Sequence, residues 1–363
     1  LVRFVFLILL FTGSPAARAR EYDIYRADYF KGAFCAAIGG ACAADDDMVS
    51  GFFQNPAALA TGEERWDFDG DYASRSILEP GLIGNSGAAE SYAAGGIGYS
   101  PGSWGAAIAF NWKHSDVDSP TTITDSAGAN LNTRLYGDAY IMSLRLPMAV
   151  HLGNGVSIGM TISLNSQYQS LSLLDTAEVV KTSDHDESLR FSLGTLIPLS
   201  EKVRLGSWFR FPFSFEDDIQ FSRSSTGAVT YREAFSLHSP WIWALGAAVS
   251  SVPHWFFYAE NDLVGPTTGG YLFSYRTFSS STAAAPPREK GRSVVFEPHL
   301  GARYSIDDRW TLHLGSYYEN SRWESVRARV HGTTGISRKV GNFELIAGID
   351  AARSYSQIFF TFR

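Results

Sequence analysis

The stretch "GVSIGMTISLNSQYQ", residues 155–169, interleaves two chemistries. Val156, Ile158, Met160, Ile162 and Leu164 take every second position, and Ser157, Gly159, Thr161, Ser163 and Asn165 fill the places between. Successive side chains of a strand point to opposite faces, so this segment is a strand with one apolar and one polar face. It is longer than the usual globular strand and long enough to cross a bilayer at a tilt.

The same period of two recurs outward in both directions. In "WGAAIAFNW", Trp104, Ile108, Phe110 and Trp112 share one face with Ala106. "VRLGSWFRFPFSF", "WIWALGAAV", "VVFEPHLGARYSI", "WTLHLGSYY" and "FELIAGI" repeat the pattern, and no helical period of 3.6 is sustained. The chain reads as all-β, with about fourteen strands at 65–76, 90–100, 104–114, 135–150, 155–171, 186–199, 202–216, 234–250, 253–264, 292–306, 309–320, 326–338, 342–350 and 354–363. Short joins ("PGS", "HLGN", "SE", "SV", "DD", "KVG") alternate with longer ones at 77–89, 115–134, 172–185, 217–233 and 265–291, the last two joins of the longer side shrinking to 321–325 and 351–353. Turns sorted to one end and loops to the other are the pattern of a transmembrane outer-membrane β-barrel with antiparallel strands, and a secreted sandwich would not sort them.

Composition agrees. The 363 residues are 14% aromatic and only 18% charged, and mean hydropathy is close to zero because apolar and polar positions alternate. The formal charge of −7 argues against a nucleic-acid partner. The opening "LVRFVFLILLFTGSPAARA" has one basic residue, an apolar run too short to span, and a small-x-small end, which reads as a signal peptide over 1–19. Cys35 and Cys42 are the two cysteines of an exported chain. Seven residues of helix would hold them roughly 10 Å apart, so a disulfide needs an irregular path there, and two free thiols are the alternative.

"IGGACAADDDMVSGFFQNPAAL", residues 38–59, resembles the segment before the first strand in the FadL family, the long-chain fatty-acid and aromatic-hydrocarbon transporters of Gram-negative outer membranes. Gly39, Gly40, Ala41, Ala44, Asp45, Asp46, Asp47, Ser50, Phe53, Asn55, Pro56, Ala57 and Leu59 stand in the family's positions, while Gln54 replaces its usual aromatic. "HLGARYSIDDRWTLHLGSYYENS", 299–321, is similar to a second family run. The resemblance implies a hatch over 20–62 inside a barrel of about fourteen strands over 63–363. It also implies passive uptake of hydrophobic compounds, or, in hatch-bearing relatives that do not transport, a scaffold for secretion or lipoprotein export. The expected partners are a hydrophobic or amphiphilic small molecule, outer-membrane lipid with lipopolysaccharide, and the barrel assembly machinery.

No motif for catalysis stands out, and neither a metal nor a cofactor is called for. Asp45, Asp46 and Asp47 read as a polar contact between hatch and wall. "HSDVDS" (114–119) and "SDHDES" (183–188) fall in the expected external loops, where solvated polar runs are ordinary. Strand parity points Arg190, Arg204, Arg210, Glu297, His299 and Arg303 into the lumen. Two readings stay open for them: ion pairs that crosslink the interior, or a site in which Arg204, Arg210, Arg303 or His299 meets a carboxylate head group beside Trp208. A lateral opening would show as a kink beside the hatch, with Pro147, Pro198 and Pro212 as candidates. Asn55-Pro56 starts a turn where the chain leaves the lumen for the first strand.

Overall fold

The computed structural model describes residues 31–78, 87–124, 130–174, 179–223, 229–266, 291–320, 328–353 and 355–363. Its β-segments are β1 (Glu64–Leu78), β2 (Gly87–Pro101), β3 (Trp104–Thr124), β4 (Asn130–His151), β5 (Ser157–Leu174), β6 (Val179–Ser200), β7 (Val203–Arg210), β8 (Phe213–Arg223), β9 (Val229–Ser239) and β10 (Ile242–Val252). β11 (Trp255–Val264), β12 (Val295–Ser305), β13 (Trp310–Glu319), β14 (Arg329–Val340), β15 (Phe343–Ala352) and β16 (Tyr355–Phe362) follow. Neighbours pair antiparallel, β1 closes on β16, and β5 joins β6, so the sheet closes on itself as a barrel. β7 pairs with β10 while β8 pairs with β9, which makes β7–β8 one interrupted wall strand and β9–β10 another. The barrel therefore has fourteen wall strands.

The strands expected as unbroken at 202–216 and 234–250 are each cut, at Phe211-Pro212 and at Pro240-Trp241. Proline offers no N–H to a ladder, so each cut falls where a proline stands. The expected loops 115–134, 172–185 and 217–233 are also corrected, because β3, β4, β5, β6, β8 and β9 run through most of them. Apolar alternation stops where lipid stops, but each further residue pair still satisfies its own backbone groups, so the hairpins continue beyond the signal. The loop 265–291 lies almost wholly outside the described residues.

Parity determines the two faces. On β5, Ile158, Met160 and Leu164 are exposed to the outside while Thr161, Ser163 and Asn165 are buried within. The outer apolar band is bounded by aromatic clusters. Trp66, Tyr99 and Trp104 sit at the short-turn end, and Trp112, Tyr140 and Tyr168 at the other. Eight residues of β3 separate Trp104 from Trp112, roughly 27 Å of strand and about 21 Å of height at the usual tilt, close to the apolar band of a transmembrane barrel.

Residues 32–62 occupy the lumen. Helix α1 (Ala33–Ala37) and helix α2 (Met48–Phe53) are one turn or so each, followed by a 3-10 turn at Pro56–Leu59. Ala33, Ala37, Met48, Phe52, Leu59 and Ala60 are fully buried against Ala73, Tyr92 and Phe359 of the wall. The close fit depends on inward glycines. A Cβ on Gly206 would overlap the Ala43 carbonyl, and one on Gly194 would overlap the Asn55 side chain.

Candidate functional site

A plug without a ladder must find other partners for its backbone, and here the wall supplies them. Asn55 shows how. Its Nδ2 donates to the carbonyls of Ala43 (2.7 Å) and Thr195 of β6 (2.9 Å), while its Oδ1 accepts from the Ala57 N–H (3.2 Å). Pro56 then opens the 3-10 turn with no N–H left to satisfy. Arg145 of β4 donates to the Phe53 carbonyl (2.6 Å), Thr333 to that of Ala37 (3.1 Å), and Arg65 to those of Asp46 and Ala58. Phe52 and Phe53 meet edge to face, 6.2 Å between centroids.

The three aspartates divide their work. Asp45 accepts from Ser50 Oγ at 2.7 Å and lies 3.5 Å from the Tyr258 hydroxyl. Burial, then the neighbouring charges of Asp47 and Asp46, push its carboxyl up to about 6. Asp46 pairs with Arg204. Asp47 caps α2 by accepting from Val49 N–H and pairs with Arg363. Burial would raise the Asp47 carboxyl, but the Arg363 guanidinium outweighs it and holds the group below its ordinary range.

Residue 31 brings a further charge. Lys31 Nζ donates to the Gly40 carbonyl (3.0 Å), Glu260 (2.9 Å) and Asp262 (3.0 Å), and both carboxylates of β11 are fully buried. The Ala43 N–H donates to the second oxygen of Glu260 (2.6 Å). His299 Nδ1–H donates to the Gly39 carbonyl (2.6 Å), with its Nε2 3.6 Å from Asp262. Gly39 and Gly40 adopt positive φ of 68° and 78°, turning the chain so that Cys35 and Cys42 bond with Cα atoms 5.7 Å apart.

Of the five residues considered for a ligand, three face the hatch. Arg204 donates to the Ala44 carbonyl and pairs with Asp46, His299 meets Gly39, and Arg303 lies over the rings of Phe256 and Phe34. Trp208 and Arg210 instead line a cavity of about 40 Å³ with Gln54, Arg145, Arg190 and Ser192. The cavity sits beside an interruption of the ladder between β6 and β8, which still run side by side. The ladder between β6 and β7 ends where the Phe211 N–H donates to the Phe191 carbonyl (3.0 Å), and pairing with β8 resumes only at Lys181–Ser222 and Val180–Arg223. Pro212 stands at the start of the gap. Pro147 is paired in register with Thr161 on one side and interrupts the ladder with β3 for two residues on the other, and Pro198 stands beside an irregularity near the short turn. A second cavity, about 70 Å³, lies on the loop side of α1 among Arg75, Tyr92, His299, Tyr317, Asp350 and Tyr355.

Sequence reading notes Gln54 only as a replacement for the family's aromatic and passes over Arg145 and Lys31. Glu260 and Asp262, two apart in "YAENDLV", share one strand face, and that acidic pair was the signal for a buried cation. "HSDVDS" is not in a loop: His114 Nε2 lies 2.8 Å from Asp138 and 3.1 Å from Asp116 on the outer face of β3 and β4, with Tyr140 stacked on the imidazole at 4.4 Å. "SDHDES" likewise lies within β6.

These features define a closed, hatch-bearing barrel of the outer-membrane type. No protein-family model matches the chain, and no curated protein sequence does. Solved structures do match in fold. A Pseudomonas aeruginosa FadL homologue is 11% identical over 90% of this chain and 95% of its own, with a TM-score of 0.64. The Pseudomonas putida toluene transporter TodX is 13% identical over 90% and 96%, TM-score 0.61, and the monoaromatic hydrocarbon channel CymD 14% over 91% and 96%, TM-score 0.54. The fold is that of the FadL-family channels.

Proposed function

We propose that this chain is an outer-membrane channel of a Gram-negative bacterium through which hydrophobic or amphiphilic small molecules, long-chain fatty acids or related compounds, diffuse past the hatch. The gap between β6 and β8 carries this reading, because it sets the cavity beside an unpaired stretch of wall facing the lipid band. An apolar molecule that leaves sideways enters hydrocarbon without crossing water. The guanidinium groups of Arg145, Arg190 and Arg210 suit the carboxylate end of such a molecule, and Trp208 its first carbons. Lipopolysaccharide outside and the barrel assembly machinery during insertion are the expected partners, and no catalytic step belongs to this reading.

The second reading, a scaffold for secretion or lipoprotein export, draws support from the small size of both cavities beside the hatch. Ser192→Trp fills the cavity at the gap. In cells that lack another route for a labelled long-chain fatty acid and express this chain, uptake should fall several-fold while heat-modifiable mobility reports a folded barrel. Unchanged uptake would remove the gap from the pathway, and no uptake by the wild type would favour the scaffold.

A further inference from the structure

Gln54 follows the last residue of α2, is 5% exposed, and has no hydrogen-bond partner on either Oε1 or Nε2. Its two predecessors, Phe52 and Phe53, are apolar and buried, so an apolar residue would be the ordinary filler at this position. Trp208, 8% exposed, brings a second unpartnered group, its Nε1–H, to the same cavity. Buried polar groups without partners are costly, and a pair of them facing one cavity marks a place where a ligand completes the bonding.

The chemistry of the two groups narrows what that ligand is. A carboxylate can only accept, and guanidinium groups lining the cavity already provide donors for it. Gln54 Oε1 needs a donor, which a plain fatty acid anion lacks. A hydroxyl both gives and takes: it can donate to Oε1 and accept from Nε2 or from the Trp208 indole. At about 40 Å³ the cavity is small, so only the head-group end of a ligand meets these groups and the rest of its chain stays outside. We propose that Gln54 and Trp208 form a hydroxyl-reading subsite at the wall gap, and that the preferred cargo is an anionic amphiphile with a hydroxyl within a few atoms of its carboxylate, such as a β-hydroxy fatty acid. This inference rests on the transport reading and specifies its head group.

The test is calorimetric titration of the full-length purified barrel in non-ionic detergent with β-hydroxydodecanoate and dodecanoate, comparing wild type, Gln54→Leu and Trp208→Phe. The wild type should bind the hydroxy acid about tenfold tighter, as one well-placed buried hydrogen bond provides. Gln54→Leu should abolish that preference while leaving dodecanoate binding within about twofold, a split that a merely structural role would not produce, and Trp208→Phe should reduce it. Equal binding of both acids by the wild type, or a preference that survives in Gln54→Leu, overturns the subsite and leaves the transport reading standing. Binding of neither acid overturns both.

Discussion

Replacing Lys31 by Met removes one ammonium and strands two buried carboxylates. Glu260 and Asp262 have no exposed side-chain surface, and Lys31 is their common counter-ion as well as the donor to the Gly40 carbonyl. Burial alone would lower the Lys31 pKa, yet the two carboxylates outweigh it and hold the group above its ordinary value, so it is charged throughout the physiological range. Breaking a buried pair from one side costs about 3–5 kcal/mol. The Ala43 N–H stays on Glu260 and His299 stays near Asp262, which places this case at the low end, about 3 kcal/mol. That loss falls on docking of the hatch, because Lys31 precedes α1 while both carboxylates belong to the wall, and it converts to about a hundredfold in the docked-to-undocked ratio. Single-channel recording in a planar bilayer reads the ratio directly as the fraction of time a pore is open. Lys31→Met should raise that fraction about a hundredfold, and the triple variant Lys31→Met, Glu260→Gln, Asp262→Asn should restore most of the closure by removing the stranded charge. An unchanged open fraction in the folded single variant would refute the view that this cluster holds the hatch.

Acidity should act through Asp45. Its pKa is raised on docking to about 6, so its cost to docking is complete above pH 6 and is relieved progressively as pH falls from 6 toward the ordinary carboxylate value. Asp47, held low by Arg363, contributes at neutral pH and is lost only as pH falls below the ordinary carboxylate range, so docking should be tightest at about pH 4. Protease cleavage of the hatch should therefore be slower at mildly acidic than at neutral pH, and Asp45→Asn should flatten the difference. Gly206→Val drives a Cβ into the Ala43 carbonyl, which no rotamer avoids. The barrel should still assemble with a displaced hatch and raised ion conductance, and wild-type conductance would show that the close approach is not needed.

Period two in segments such as 155–169 is a local property of the chain, and lipid on one side with a polar lumen on the other imposes it directly. For that reason the barrel and its wall strands, about fourteen, were legible in the residues, while the hatch was legible only through the resemblance of residues 38–59 to the FadL family. The hairpin extensions were not, since beyond the lipid band only backbone pairing maintains the strand and no side-chain pattern reports it. Parity could send Arg204, Arg210, His299 and Arg303 inward, but it could not separate the residues that tie down the hatch from those that face the cavity. That division depends on where the hatch lies against the wall. Lys31 meets Glu260 across 229 positions, and Gln54 reaches Trp208 only because the hatch crosses the lumen there. Pro212 is one of three prolines open to the same reading on sequence alone. Only the closed sheet decides that Pro212 stands where the ladder between β6 and its neighbour is interrupted, whereas Pro147 and Pro198 do not.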